Sequence, residues 1–347
     1  MAKLRINTPS IVHNFEKLKN QCEARGIQLV PVTKVCLSNR HIVESFQRCG
    51  AETIADSDAR RLSRLDVAIG RFLLKVSLSD AMGDDLSCDC VITSSVEVLQ
   101  ALSTRANTNP PKVFLALELG DLREGIVPER LPGFLESALK LPNISIVGLG
   151  ANFGCLSGKL PDRGTCEILR ETLHLVRKRI GFEFEHVSFG GTAVYPSLMD
   201  GSLPDFVNHL RIGEAIFFGH NLCTNESIPG MNQETFILSS EILEVSEKNV
   251  HRDGEYGLNA FGEDVAFVDS GVRKRAILDF GQLGAPIRSV FPRDDRIRIV
   301  GSTHEYSVID ISDTIETYRV GDSVEFTMNY NSAAQAYLSP QIENLLD

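Results

Sequence analysis

Between Leu29 and Gly213 the chain repeats one pattern, a polar or amphipathic segment of helical length followed by a short apolar run ending on a small or polar residue. The apolar runs are Leu29 to Lys34, Thr53 to Asp56, Phe72 to Ser77, Cys90 to Ser94, Val113 to Leu119, Ile144 to Gly150, His186 to Gly190 and Asn208 to Gly213. Intervening segments such as Ser95 to Ser103, Arg130 to Lys140 and Cys166 to Arg179 carry apolar residues at helical spacing. Neighbouring strands joined by helices run parallel, and eight of them within roughly two hundred residues match a (β/α)8 TIM barrel. The competing solution, an open dinucleotide-binding sheet, lacks its glycine fingerprint. Gly148 Leu149 Gly150 has no third glycine and comes too late in the chain.

Ahead of the first run, Thr8 and Pro9 read as an N-cap and a first helical residue, and Ile11, Val12, Phe15, Leu18 and Cys22 continue at helical spacing. Beyond Gly219 the period changes. A turn-rich stretch from Asn221 to Asn232 leads into β-like segments at Phe236 to Val245, Val265 to Val268, Arg275 to Phe280, Ile297 to Val300, Tyr306 to Ile311 and Ser323 to Met328. The expected organisation is a barrel over 8–225 and a mostly antiparallel C-terminal β-domain over 226–347, to which residues 1–7 can add a strand. A hydrophobic content of 43% is enough for two cores.

The net charge of −11 argues against a basic surface for nucleic acid or anionic membrane, which leaves small molecules or a second copy of the chain as partners. Met1 to Asn7 passes straight into strand and helix signals without the apolar stretch of a signal peptide or membrane span, so the expected location is the cytoplasm. Eight cysteines without regular paired spacing read as buried, reduced thiols. Cys88 and Cys90 share a strand face but bring too few ligands for zinc, and no metal site is expected.

In such barrels chemistry is done at the C-terminal ends of the strands. There the sequence places Lys34, Asp56, Ser77, Ser94, the segment from Glu118 to Gly125, Asn152, the segment from Gly190 to Thr192, and Arg211 with Gly213. A strand-end lysine is a phosphate ligand, a Schiff-base nucleophile or simply an ion-paired surface group. Gly190 Gly191 Thr192 and Gly213 Glu214 Ala215 offer backbone N–H groups where barrels commonly hold phosphate, although glycines also serve tight turns. Phosphate at the seventh and eighth strands with an amine across the mouth fits pyridoxal phosphate. Arg211 then gains a role. A guanidinium beside the pyridine nitrogen donates a hydrogen bond without giving up its proton, which weakens the ring as an electron sink and suits removal and prompt return of a Cα proton.

These residues resemble the alanine racemase-like, fold-type III pyridoxal phosphate enzymes, and most closely their ornithine racemase-like branch. The resemblance runs through Val32 Thr33 Lys34 Val35, Leu119 to Ile126, Gly148 to Asn152, Gly190 Gly191 Thr192, Leu210 to Ala215, Arg273 to Leu278 and Tyr318 to Asp322. It implies an amino-acid racemase that interconverts L- and D-enantiomers of a free amino acid, with ornithine, lysine or another basic or polar amino acid as substrate. It further implies that Lys34 is the Schiff-base lysine and one acid/base, and that Arg211 faces the pyridine nitrogen. Arg123 matches an arginine near the substrate carboxylate, its alternative being a salt bridge with Glu124 or Asp121. Asn152 lies where relatives place a histidine against the cofactor ring, or else serves as a turn residue. Gly191, Thr192, Gly213 and Glu214 lie in the two phosphate loops. Tyr330 resembles a phosphate-contacting tyrosine, or else is β-domain core. Family members are head-to-tail homodimers with shared active sites, so Gln282 and the loop from Ser302 to Tyr306 would face the partner's cofactor.

The chain departs from that pattern at one point. Alanine racemases carry a tyrosine after a glycine in the second domain as the acid/base on the opposite face; here Phe280 Gly281 is followed by Gln282, whose amide cannot transfer that proton. His304, Tyr306 and Cys155 are the candidate replacements. The missing tyrosine leaves a lyase or decarboxylase on the same scaffold, or a non-catalytic cofactor-binding protein, as the alternatives.

Overall fold

The computed structural model describes residues 1–105, 110–221, 223–249, 254–264 and 271–347. Its contacts divide into one unit of Ser10–Gln233 and another of Met1–Pro9 with Glu234–Asp347. In chain order the first unit follows β1 (Ala2–Ile6) and the start of α1 (Thr8–Glu23). Strands β2 (Gln28–Pro31), β3 (Thr53–Asp56), β4 (Gly70–Leu73), β5 (Cys90–Thr93), β6 (Lys112–Leu117), β7 (Ser145–Asn152), β8 (His186–Gly190) and β9 (His209–Ile212) then alternate with helices. The helices are α2 (Arg40–Arg48), α3 (Ala59–Arg64), α4 (Leu78–Met82), α5 (Val96–Ser103), α6 (Leu131–Ala138), α7 (Arg163–Ile180), α8 (Tyr195–Asp200) and α9 (Glu214–Phe218).

All eight strands pair in parallel, in the order β2-β9-β8-β7-β6-β5-β4-β3. The parallel bridge between Val32 and Ala55, with the Thr33 amide on the Ala55 carbonyl at 2.8 Å, joins β2 to β3 and closes the barrel. Period-two alternation fills the lumen: Val30, Val32, Ala55, Phe72, Ile92, Phe114, Ala116 and Val147 pack as one cluster. Several strands are shorter than their apolar runs. The run from Phe72 to Ser77 yields a strand ending at Leu73, because Ser77 caps α4 in a capping box with Asp80. The run from Leu29 to Lys34 ends as a strand at Pro31, and Lys34 opens a single 3-10 turn over Lys34–Cys36. A two-residue ladder of β10 (His220–Asn221) with β11 (Glu226–Ser227) follows α9.

The second unit is built on β12 (Phe236–Asn249), whose long alternating sequence pairs antiparallel with β1, β13 (Val272–Leu278) and β17 (Ser323–Met328). β14 (Val290–Pro292) pairs with β17, and β15 (Arg298–Ser302) pairs with β16 (Ser307–Asp310), which lies on β13. Two elements carry little apolar signal in the sequence: α10 (Tyr330–Leu338), capped by Asn329, and β18 (Ile342–Leu346), parallel to β1. The segment expected as a strand at Val265 to Val268 lies outside the described residues. Among the described residues no helix is long and apolar enough to cross a membrane. All eight cysteines are free; burial pushes the Cys88 and Cys90 thiols up to about 12 and about 11.

Candidate active site

Lys34 is half-buried, and the turn that carries it is fixed from beneath. Thr33 is fully buried; its hydroxyl bonds the Ser38 hydroxyl at 2.8 Å and the Ala55 carbonyl at 3.2 Å. Ser38 donates to the Asp56 carboxylate at 2.7 Å, and Asp56, fully buried at the end of β3, also accepts the Ser57 and Asp58 amides at 2.6 and 3.1 Å. Arg61 completes the cluster with an ion pair to Asp56 at 3.1 Å. Leu37 and Ser38 adopt the left-handed conformation, with φ of 53° and 51°, which turns the chain sharply enough for Ser38 to reach back to Thr33. Sequence reasoning named Asp56 only as a strand end and missed Ser38 and Arg61; the carboxylate buried at a strand end was the available signal.

On β9, the strand paired with β2, Arg211 is buried opposite Val30, so it neighbours the Lys34 strand and does not lie across the mouth from it. One of its nitrogens donates to the Ser188 hydroxyl and another to the Ala151 carbonyl at 3.2 Å. Burial lowers its guanidinium to about 10, still well above neutral pH, so it remains a cation. Two glycines make room for it. A Cβ at Gly190 would lie 2.6 Å from an Arg211 nitrogen and 2.6 Å from the Asn152 oxygen, and one at Gly150 would lie 3.1 Å from Arg211.

The loops after β8 and β9 are tied together. Gly191 has φ of 101° and a Cβ there would lie 2.3 Å from the Phe153 carbonyl, so only glycine fits. Thr192 is buried and its hydroxyl accepts the Ala215 amide at 3.0 Å. Gly213 precedes α9, where the missing side chain lets it lie against Val32 of the first barrel strand's extension, and Glu214 is the first residue of that helix. These loops therefore present close-packed backbone beside the strand end that leads to Lys34.

Asp121 organises the opposite rim. It is buried and accepts the Asn152 amide group, the Cys155 amide and the Leu156 amide, each at 3.0 Å. Burial alone would raise its carboxyl, but the Leu156 amide, the Asn152 side chain, the Cys155 amide and the Arg123 charge hold it below the ordinary value of 3.8. Arg123 pairs with both Asp121 at 3.4 Å and Glu124 at 2.7 Å, so both salt bridges weighed for it from sequence are present. Glu118 holds the loop by accepting the Gly120 and Leu122 amides at 2.5 and 3.1 Å. Cys155 is exposed, contrary to the expectation that the thiols are buried, because its amide is spent on Asp121 while its side chain stays at the surface.

The remaining expected residues belong to the β unit. Gln282 and the 302–306 turn form one cluster there: the Gln282 amide bonds the Thr303 carbonyl at 2.9 Å, and the Leu283 amide bonds the His304 carbonyl at 3.0 Å. Gly281 is obligatory at this crossing, since a Cβ would lie 2.5 Å from the Glu305 nitrogen. His304 packs its ring against Phe261 with centroids 4.8 Å apart, and Tyr306 is exposed. Tyr330, expected in the last strand region, is instead the first residue of α10 and half-buried, because Asn329 caps a helix there.

The family model described as alanine racemase, N-terminal domain, matches residues 6–221. Lysine racemase of Thermotoga maritima is 33% identical over 351 residues, spanning 99% of this chain and 98% of its own. Ornithine racemase of Acetoanaerobium sticklandii is 32% identical over 349 residues, spanning 99% of each. The biosynthetic alanine racemase of Pseudomonas aeruginosa shares the fold, with a TM-score of 0.76 at 18% identity, covering 100% of this chain and 99% of that one. With a barrel matched across most of its length and relatives aligned end to end, this chain belongs to the alanine racemase family of pyridoxal phosphate-dependent amino-acid racemases.

Proposed function

We propose that the chain racemises a free basic amino acid, lysine or ornithine, using pyridoxal phosphate anchored at Lys34. The observation that carries this reading is the buried, clamped guanidinium of Arg211, for which Gly150 and Gly190 leave space, set in the same barrel as the fixed Lys34 turn. An amine, a buried cation and two close-packed loops make a donor set that fits this cofactor. When bound, pyridoxal phosphate supplies a conjugated electron-withdrawing ring that makes the substrate Cα proton acidic. Arg211 would donate to the ring nitrogen, and because it stays protonated it adds no second electron-withdrawing proton there. Gly191, Thr192, Gly213, Glu214 and Tyr330 would hold the phosphate end, and Asn152 would lie against the ring.

Lys34 would move the Cα proton on one face, its backbone held by the Thr33, Ser38, Asp56 and Arg61 cluster. Arg123 would orient the substrate carboxylate. Proton delivery on the opposite face falls to Cys155, His304 or Tyr306, with the protein acting as a cytoplasmic homodimer that shares its active sites. Substrate choice is supported by the two full-length relatives, one a lysine racemase and one an ornithine racemase. The test is exchange of the Cα hydrogen with deuterated water for both enantiomers of lysine, ornithine and alanine, in wild type and Lys34→Ala. Exchange of a basic amino acid by wild type alone is expected. Exchange of none, or of alanine only, would overturn the activity or the substrate respectively.

A further inference from the structure

Inside the barrel, Arg211 is one end of a buried polar chain that the proposed chemistry leaves without a role. Ser188 and His186 alternate on β8, and His209 and Arg211 alternate on β9, so all four fall on the lumen face of adjacent strands. The Ser188 hydroxyl lies 2.6 Å from the His209 Nδ1 and also receives a hydrogen bond from Arg211. His209 is buried, with its ring against Phe114 at 5.3 Å, His186 at 5.6 Å and Phe72 at 6.0 Å between centroids.

The direction of this chain follows from donor counting. A guanidinium has only donors, so Ser188 must accept from Arg211. Its oxygen can accept twice, so the second link is an assignment: its one proton goes to its other neighbour, and His209 Nδ1 accepts it. In that assignment the imidazole is the neutral Nε2–H tautomer. A protonated His209 would aim a second donor at Ser188 and set two cations side by side in a dry lumen. Burial, the Arg211 charge and His186 all push the His209 imidazole well below its ordinary value of 6.5, in agreement with that assignment.

We propose that Ser188 and His209 are positioning residues for Arg211, a one-way hydrogen-bond chain that fixes the plane of its guanidinium toward the cofactor ring. This rests on the placement of Arg211 against that ring; the tautomer assignment does not. Among the described residues the Arg211 side chain otherwise donates only to the Ala151 carbonyl, and one bond leaves a guanidinium free to rock.

Two measurements test it. In ligand-free protein labelled with 15N-histidine, His209 is expected to show an unprotonated Nδ1 from about pH 5 to about pH 8. Titration of His209 in that window, or a protonated Nδ1, would overturn the chain. In protein loaded with pyridoxal phosphate, Ser188→Ala and His209→Leu are expected to shift the visible absorbance band and lower kcat on the order of ten- to a hundredfold, the loss of an oriented charged hydrogen bond. His209→Asn, whose carbonyl oxygen replaces the Nδ1 acceptor, is expected to recover most of both. Spectra and kcat unchanged in Ser188→Ala and His209→Leu, or no recovery in a folded His209→Asn, would overturn the proposal. If Lys34→Ala kept the wild-type band, the cofactor site itself would be wrong, a failure distinct from that of the chain.

Discussion

Replacing Gly190 with alanine tests the clearance around Arg211 without removing a polar group. Gly190 does not lie at positive φ, so alanine brings no backbone strain and its effect isolates the steric one. The new methyl would lie 2.6 Å from an Arg211 nitrogen and 2.6 Å from the Asn152 oxygen. A flexible arginine would simply move aside, but this one is clamped by Ser188 and the Ala151 carbonyl. Overpacking costs about 1–3 kcal/mol. Surrender of one charged hydrogen bond adds about 1.5–3 kcal/mol, for a total of roughly 2.5–6 kcal/mol. At roughly 2–4 °C per kcal/mol for a unit of this size, thermal unfolding should fall by about 5–24 °C. Gly133→Ala is the control: it lies in α6 with open space around it and should gain about 0.4–1 kcal/mol. A Gly190→Ala protein within about 1 kcal/mol of wild type would refute the argument that Arg211 is held in place.

Asp56→Asn should cost about 2–3 kcal/mol in urea unfolding, below the range for fully buried pairs because Arg61 is partly exposed; an unchanged midpoint would dismiss the cluster as a Lys34 support. Asp121 has its carboxyl lowered in the folded state, so its stabilisation is complete above the unfolded value of about 4 and is lost as pH falls through the folded value. The stability gap between wild type and Asp121→Asn should therefore be constant from about pH 7 to about pH 5 and shrink below about pH 4; a gap that widens with acid would show the sign to be wrong. With a thiol reagent under native conditions, the exposed Cys155 should react first and the buried Cys36, its thiol pushed up to about 12, only on unfolding. Cys155→Ser should remove the fast phase.

The barrel was legible because its signal is repeated. Each parallel strand is buried on both faces and reads as an apolar run, and eight such runs constrain one another even where single boundaries slip by a few residues. Boundaries slipped where a polar cap outcompeted the strand, as at Ser77, or where a tight turn began early, as at Thr33 and Lys34. In the β unit, α10 and β18 were not legible. α10 carries small and polar residues and β18 is largely exposed, so neither shows the periodicity of a buried face. In the candidate site, the positions of Lys34 just beyond β2 and of Arg211 on β9 were legible from the apolar runs. Ser38, Arg61, Ser188 and His209 were not, since their roles depend on long-range contacts: Ser188 meets His209 across 21 residues of chain, a pairing that only the adjacency of β8 and β9 creates.

The central claim is that Lys34 carries the cofactor. Protein loaded with pyridoxal phosphate, reduced with borohydride and digested, should yield the phosphopyridoxyl adduct on the peptide containing Lys34, and Lys34→Ala should yield none. An adduct on any other lysine of the wild type, or no adduct from protein shown to bind the cofactor, would contradict the account.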